Sequence, residues 1–263
     1  MSTRAAQYSA DVLRREQLSS HLVRLVLGGE GLAGFASTGI PDEWVALTVP
    51  GQFQTRYYTV RDWDAAELTL DVVVHEVGLV TEWASGDCVG DTVTVSEPKG
   101  SFDMPASAQW LLLVGDLTAL PAMARIIASD PGVPVRAWAE VPAGEKIPGY
   151  DPGAADVTWL SPPDGVETAT AEIVRGIDWP DGDGYFWMAG ESAQMRAIRK
   201  HLMREVGLPN PAYDVMGYWR GGGQKRQPRA VDPGPIWQQG KSAGKSDDEI
   251  WADYDAAREA GHG

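Results

Sequence analysis

Arg56-Tyr57-Tyr58-Thr59-Val60-Arg61 puts guanidinium groups, phenol rings and a hydroxyl on one short run of chain. In an extended strand successive side chains alternate faces, so Arg56, Tyr58 and Val60 share one side and Tyr57, Thr59 and Arg61 the other. An arginine fork pairs with a pyrophosphate, and a tyrosine face stacks on an isoalloxazine ring. A threonine hydroxyl can give or accept a hydrogen bond at the redox edge of such a ring. A flavin dinucleotide would use all three, whereas the plain alternative is an amphipathic strand with basic ends.

Two turns add anion chemistry. Gly115-Asp116-Leu117-Thr118 stands between the apolar run Trp110–Val114 and a helical pattern with Pro121 in its first turn. Such a strand-to-helix turn points backbone N–H groups at an anion. Asp116 would either repel a phosphate there or cap the helix. Ala189-Gly190-Glu191-Ser192 is a second turn of this kind, and Gly190 would let a flat ring approach closely. Tyr218-Trp219-Arg220 ends the last strand pattern near the same edge, where Trp219 reads either as core packing or as cover for a flavin face.

Other motifs mislead. Gly29-Glu30-Gly31-Leu32-Ala33-Gly34 matches G-x-G-x-x-G, but residues 35–44 have no helical period to receive a pyrophosphate. Gly240-Lys241-Ser242 and Gly244-Lys245-Ser246 resemble phosphate loops without the preceding glycine spacing or a buried strand. Histidines at 21, 75, 201 and 262 form no metal-ligand spacing, and no Ser-His-Asp or paired-carboxylate arrangement can be argued.

The elements that would carry these residues fall into two groups. Strands at His21–Leu27, Trp44–Val49, Arg56–Val60, Leu68–Val74 and Asp91–Val95 lie close together without a helix between them, which predicts a small antiparallel β-barrel. Beyond Pro105 apolar strands at 110–114, 133–140, 157–160, 185–189 and 214–219 alternate with helices at 118–129, 167–175 and 192–206. That alternation predicts a parallel α/β sheet. The expected division is residues 1–105 for the barrel, 106–220 for the α/β domain and 221–263 for a polar linker followed by a helix. That last helix would open at Ser246, with Glu249 at the capping-box position, and run to about Ala260.

Composition narrows the class. A net charge of −15 argues against nucleic acid as a partner. The single cysteine, Cys88, excludes an internal disulfide and suits a reducing compartment. With no apolar signal core and no membrane span, the expectation is a soluble cytoplasmic protein. One island breaks the acidic trend: 215–231 holds no acid but carries Arg220, Lys225, Arg226 and Arg229, either a solvated loop or an attractor for an anionic ligand.

Taken in order, Arg56–Arg61, Glu67–His75, Gly78–Ala84, Ser96–Phe102, Gly115–Ala122, Ala189–Ser192 and Gly217–Gly222 resemble the siderophore-interacting protein family, FAD-dependent ferric-siderophore reductases of the ferredoxin-reductase superfamily. The resemblance runs to about Gly222. It implies that Arg56, Tyr58 and Thr59 hold FAD, beside Tyr57, with Arg61 as a further phosphate partner. His75 and the Gly78–Ala84 turn, with Val80, Thr81 and Trp83, match the second flavin segment H-G-x-x-G-P-A-S-x-W-A. Glu76 departs from it at a glycine, and Thr81 keeps the hydroxyl of its serine. Asp116, Thr118 and Ala119, then Gly190 and Glu191, then Tyr218 and Trp219, would meet the nicotinamide dinucleotide and the flavin.

The implied activity is electron transfer from NADPH or NADH through FAD to a ferric siderophore, releasing Fe(II), with ferredoxin as a further conceivable partner. A hydride carries two electrons and ferric iron takes one, which calls for an intermediary such as flavin and for no protein acid, base or nucleophile. Lys99, Arg220, Lys225 and Arg226 would attract the chelate. The rival readings are a general flavin or ferredoxin-type reductase and a siderophore-binding module without redox turnover. The nucleotide stays open: Glu140 at a strand end suits a ribose hydroxyl, and Arg136 or Lys146 a 2′-phosphate.

Overall fold

Short alternating strands near the amino terminus close on themselves. In the computed structural model, which describes residues 6–52, 54–74, 78–144, 146–150, 153–221, 233–243 and 245, they are β1 (Gln7–Ser19), β2 (Leu22–Gly28), β3 (Trp44–Thr48), β4 (Arg56–Trp63), β5 (Leu68–Val73) and β6 (Thr92–Ser96). They pair antiparallel in the order β1-β2-β5-β4-β3-β6 as a closed barrel. Closure leaves no free edge. Val23, Leu25 and Leu27 of β2 and Leu68, Leu70 and Val72 of β5 alternate into the interior and are fully buried. A short helix, α1 (Leu79–Ser85), lies between β5 and β6.

The second half is built on β7 (Leu111–Asp116), α2 (Leu120–Ala128), β8 (Val135–Glu140), β9 (Asp156–Leu160), α3 (Thr170–Arg175), β10 (Tyr185–Glu191), α4 (Ser192–His201) and β11 (Tyr213–Trp219). The strands form one parallel sheet in the order β11-β10-β7-β8-β9. Every residue of β7 and β10 is buried, because α2 and the barrel wall cover one face while α3 and α4 cover the other. Order reverses between β7 and β10. In open α/β sheets that switch point, at the carboxyl ends of the strands, is where ligands bind.

The barrel and the sheet share a seam. Arg125 of α2 donates to the Val60 carbonyl at 2.8 Å and pairs with the buried Glu43 carboxylate at 3.1 Å. Trp187 of β10 donates Nε1–H to the buried Asp42 at 3.2 Å. A face of β10 that would otherwise need a helix is thus packed against the barrel wall.

Two expectations are corrected. The barrel has a strand that the sequence pattern did not announce, β1, whose alternation is broken by irregularities between Val12 and Arg14 and between Gln17 and Ser19. Residues read as linker include a helix, α5 (Pro233–Ser242), in a compact unit separate from residues 1–221. Its prolines sit in the first turn, where a missing N–H costs nothing, so a proline-rich run did not preclude a helix. The helix expected from Ser246 lies outside the described residues. No helix among the described residues is long and apolar enough to cross a membrane.

Candidate functional site

A cleft of about 770 Å³ opens between the barrel and the sheet. That volume is within the range of cofactor sites, about 300 to 1,000 Å³. The barrel side is β4, from Arg56 to Thr59, with Trp44 of β3 and Val80 and Thr81 of α1. The sheet side is β11 from Asp214 to Trp219, with Thr118 and Pro121 at the start of α2. Because β11 is the edge strand of the sheet, one of its sides is free to face the barrel.

Local geometry gives each β4 residue a distinct setting. Arg56 is exposed, and its guanidinium donates only to neutral oxygens, Thr55 O at 3.1 Å and Gln54 Oε1 at 3.2 Å. No carboxylate among the described residues pairs with it. Tyr57 is 70% exposed at the rim. Tyr58 is half-buried against the barrel core, and burial pushes its phenol up to about 12, with Arg56 opposing. Thr59 is buried at the floor, and Tyr218 stands beside it. The Tyr218 hydroxyl is buried and makes no hydrogen bond of ordinary geometry; burial, then Asp42, raises its pKa far above the usual phenol value.

Arg61 is a correction. Strand β4 slips register between Val60 and Asp62, which takes Arg61 out of the cleft. Its guanidinium lies over the Tyr150 ring at 5.3 Å, with Nε 4.0 Å from the buried Asp71 carboxylate. Asp71 is itself held by a two-point bond from Arg24, 2.8 Å at each oxygen, and by the Tyr150 hydroxyl. Trp83 is a second correction. Two positions after Thr81 on α1 it faces away, packs on the barrel core and donates Nε1–H to Asp91 at 2.8 Å. Thr81 lines the cleft and donates to the Val73 carbonyl at 3.4 Å. His75 lies outside the described residues.

At the switch point Thr118 reaches the cleft, while Asp116, Ala119, Gly190 and Glu191 stand behind its wall. Asp116 accepts from Thr118 N at 2.9 Å, Thr118 Oγ1 at 2.5 Å and Trp219 Nε1 at 2.6 Å. Burial raises its pKa from the ordinary aspartate value, and these donors oppose the rise. Glu191 caps α4, accepting from Ala193 N at 2.8 Å and Gln194 N at 3.2 Å, and takes Gly221 N at 3.2 Å. Both oxygens are committed, so Glu191 acts as a helix cap. Trp219 lines the cleft and is half-buried.

Of the basic residues expected to attract the chelate, Lys99 and Arg220 do not line the cleft. Lys99 is exposed, and its backbone pairs with Trp44 in both directions, at 2.7 and 3.0 Å. Arg220 is exposed just past Trp219, about 20 Å along β11 from Asp214 at 3.3 Å per residue. Lys225 and Arg226 lie outside the described residues. For the nucleotide, Glu140 ends β8 at the carboxyl edge, buried and with its pKa raised by burial. Arg136 stands at the opposite end of the strand, on Asp178 O at 3.3 Å and 5.1 Å from the Trp138 ring centroid. That end is wrong for a 2′-phosphate. Lys146 is exposed in the loop after β8.

The sequence reading missed Trp44, Asp71, Arg199 and Asp214, all of which line the cleft. Trp44 pairs with Thr59 across β3 and β4, so strand register could have found it. Arg199 of α4 donates Nη2–H to the Val215 carbonyl and lies beside Asp214, whose pKa is raised by burial and Asp42 and lowered by Ser101 and Arg199. No local pattern announces that contact.

The residues present fit FAD. Arg56 lacks a carboxylate partner at the rim, and the orphaned Tyr218 hydroxyl sits against Thr59 in the wall. When bound, FAD supplies the exchange between two-electron hydride chemistry and single-electron transfer.

Barrel, switched sheet and intervening cleft define a ferredoxin-reductase-like protein. Phthalate dioxygenase reductase shares the fold, with a TM-score of 0.64 over 84% of this chain and 71% of that one, at 15% identity. Residues 51–102 match the siderophore-interacting FAD-binding domain and residues 108–222 match the siderophore-interacting protein description, and the chain belongs to that family. A siderophore utilization protein from T. fusca superposes with a TM-score of 0.71 at 27% identity, covering 85% of this chain and 96% of that one. The NADPH-dependent ferric-chelate reductase of Escherichia coli is 27% identical over 235 residues, 79% of this chain and 91% of its own length.

Proposed function

We propose that the protein is a cytoplasmic, NAD(P)H-dependent ferric-siderophore reductase that works through FAD. The observation that carries this is the cleft with one wall from β4 of the barrel and the other from β11 and the start of α2. That arrangement brings a flavin-holding strand against the switch point of a nucleotide-binding sheet. Residues 1–105 hold FAD through Arg56, Tyr58 and Thr59, while residues 106–220 receive the nucleotide at the turns after β7 and β10. Arg56 pairs with phosphate at the rim, Tyr58 and Trp44 supply apolar walls, and Thr59 and Tyr218 present hydroxyls to the ring. Fe(III) bound by hard oxygen donors is the electron acceptor, and loss of the Fe(III) preference on reduction frees the metal.

The purified protein is expected to be yellow, absorbing near 450 nm as oxidised flavin does. Under anaerobic conditions NADH or NADPH should bleach that band, and a ferric siderophore should restore it with one Fe(II) trapped per electron. A colourless protein that binds ferric siderophore would favour a binding module. Reoxidation by a protein-bound iron–sulfur acceptor but by no ferric chelate would favour a ferredoxin-type reductase.

A further inference from the structure

Asp116 ends β7 and Trp219 ends β11, and β10 lies between those strands. The Trp219 indole nevertheless crosses that gap, donating Nε1–H to Asp116 Oδ2 at 2.6 Å. The other carboxylate oxygen, Oδ1, takes both donors of Thr118. Gly190, in the intervening strand, leaves the passage open: a Cβ there would stand 2.7 Å from Oδ2. One buried carboxylate therefore holds two residues that line the cleft, one from the turn after β7 and one from the end of β11.

Helix capping does not account for this arrangement. Thr118 uses only Oδ1, and the second oxygen is spent wholly on a side chain from another strand. Phosphate binding does not account for it either, since a carboxylate repels a phosphate and this one is enclosed behind the wall. The backbone of Trp219 is fixed separately, by Ser192 Oγ donating to its carbonyl at 2.6 Å. The ring is a separate matter, and Asp116 holds it. A charge-assisted bond in a dry site is stronger than its neutral counterpart in water.

We infer that Asp116 is a positioning residue that, through the Trp219 indole, sets the cleft wall where the hydride donor meets the flavin. This rests on the reading of the cleft proposed above. A reacting atom displaced by about 1 Å costs on the order of a hundredfold in rate, so a fixed wall at the switch point controls the reductive half of the cycle.

Asp116→Asn tests it. With Thr118 presenting two donors, the amide oxygen stays on that side and an NH₂ group then faces the indole N–H. In apoprotein, the Trp219 indole N–H resonance, identified by its loss in Trp219→Phe, should move upfield. Its hydrogen exchange should quicken by about tenfold or more. In FAD-loaded protein, bleaching by saturating nucleotide should slow about tenfold. Flavin affinity and the reoxidation of dithionite-reduced protein by ferric chelate should hold. Trp219→Phe keeps an aromatic ring and the carboxylate while removing the N–H, so it should slow bleaching at least to the same degree, and the double variant should be no slower than Trp219→Phe alone. It also serves should Asp116→Asn not fold. An unshifted indole, additive losses or equal slowing of both half-reactions would overturn the inference. If neither nucleotide bleaches wild-type flavin, the proposed electron donor falls, and the indole resonance still decides whether Asp116 holds Trp219.

Discussion

Gly190→Ala is the smallest change that should disturb the switch point. The added methyl would lie 2.7 Å from Asp116 Oδ2 and 3.2 Å from its Cγ. Neither side can retreat easily, because Oδ1 is held by two donors from Thr118, Oδ2 by Trp219, and β10 is buried along its whole length. Overpacking a dense interior costs about 1 to 3 kcal/mol. If the carboxylate shifts instead, the bond from Trp219 is lost, at about 1.5 to 3 kcal/mol. The structure takes the cheaper of the two routes, so the contact costs about 1 to 3 kcal/mol. Gly190 also stands at φ +158°, which L side chains rarely adopt, so backbone strain of about 1 kcal/mol adds to the contact and brings the total to about 2 to 4 kcal/mol. For a unit of this size each kcal/mol moves Tm by about 2 to 4 °C, so thermal unfolding should fall by roughly 5 to 15 °C. Circular dichroism melts of the apoprotein would measure it. In an Asp116→Ala background the same glycine change should cost less by about 1 kcal/mol or more, since the oxygen it strikes is gone and only the backbone strain at φ +158° is left. An unchanged Tm, or the same cost in both backgrounds, would refute the packing argument.

Arg56→Ala should weaken FAD binding by about tenfold to a hundredfold, read by equilibrium dialysis, and full flavin retention would remove Arg56 from the phosphate site. Lys99→Glu should lower kcat/KM for an anionic ferric chelate and flatten its salt dependence while sparing a neutral ferric hydroxamate. Arg220→Glu, next to the cleft-lining Trp219, should instead alter the nucleotide KM, and identical effects from the two would contradict separate roles for these residues. Alkaline pH should destabilise the fold. Tyr58 is raised to about 12, and Tyr150, Tyr185 and Tyr218 are also raised, so the unfolded chain loses these protons first. Their contribution is whole below about pH 10 and fades above it, so the urea midpoint should fall from there through about pH 12. Phenolate absorption showing every tyrosine of the folded protein titrating near 10 would contradict this.

The parallel sheet was legible because burial on both faces writes itself as uninterrupted apolar runs, Leu111–Val114 above all. Most of the barrel was legible for the opposite reason, the alternation of strands with one face inward. Strand β1 escaped because only Ala10, Val12 and Leu18 along it are buried and its bulges break their spacing. The same physics misplaced Arg61. Alternation assigns it a face only while the register holds, and the slip after Val60 turned it toward Asp71 and Tyr150. Arg199 was illegible for another reason, since its place in the cleft follows from how α4 lies on β11.

Asp116 shows what a turn motif can and cannot say. The sequence marks Gly115–Thr118 as an anion-facing turn, and in that light an aspartate looks like an intrusion, a repulsive charge or a cap. The chain resolves it by geometry. Gly115 is pressed close enough on Ala119 that a Cβ there would lie 2.5 Å from the Ala119 methyl, which seats α2 tightly on the strand. Asp116 is thereby placed inside the sheet edge, where Gly190 clears its path to Trp219. Residues from β7, β10 and β11 are needed before its role can be read, and they lie far apart in the chain. A buried acid with its pKa raised is tolerated because its three donors leave no part of it unpaired. The cost of burying that charge is the reason to expect the Trp219 ring to be fixed: releasing it would leave Oδ2 buried without a partner.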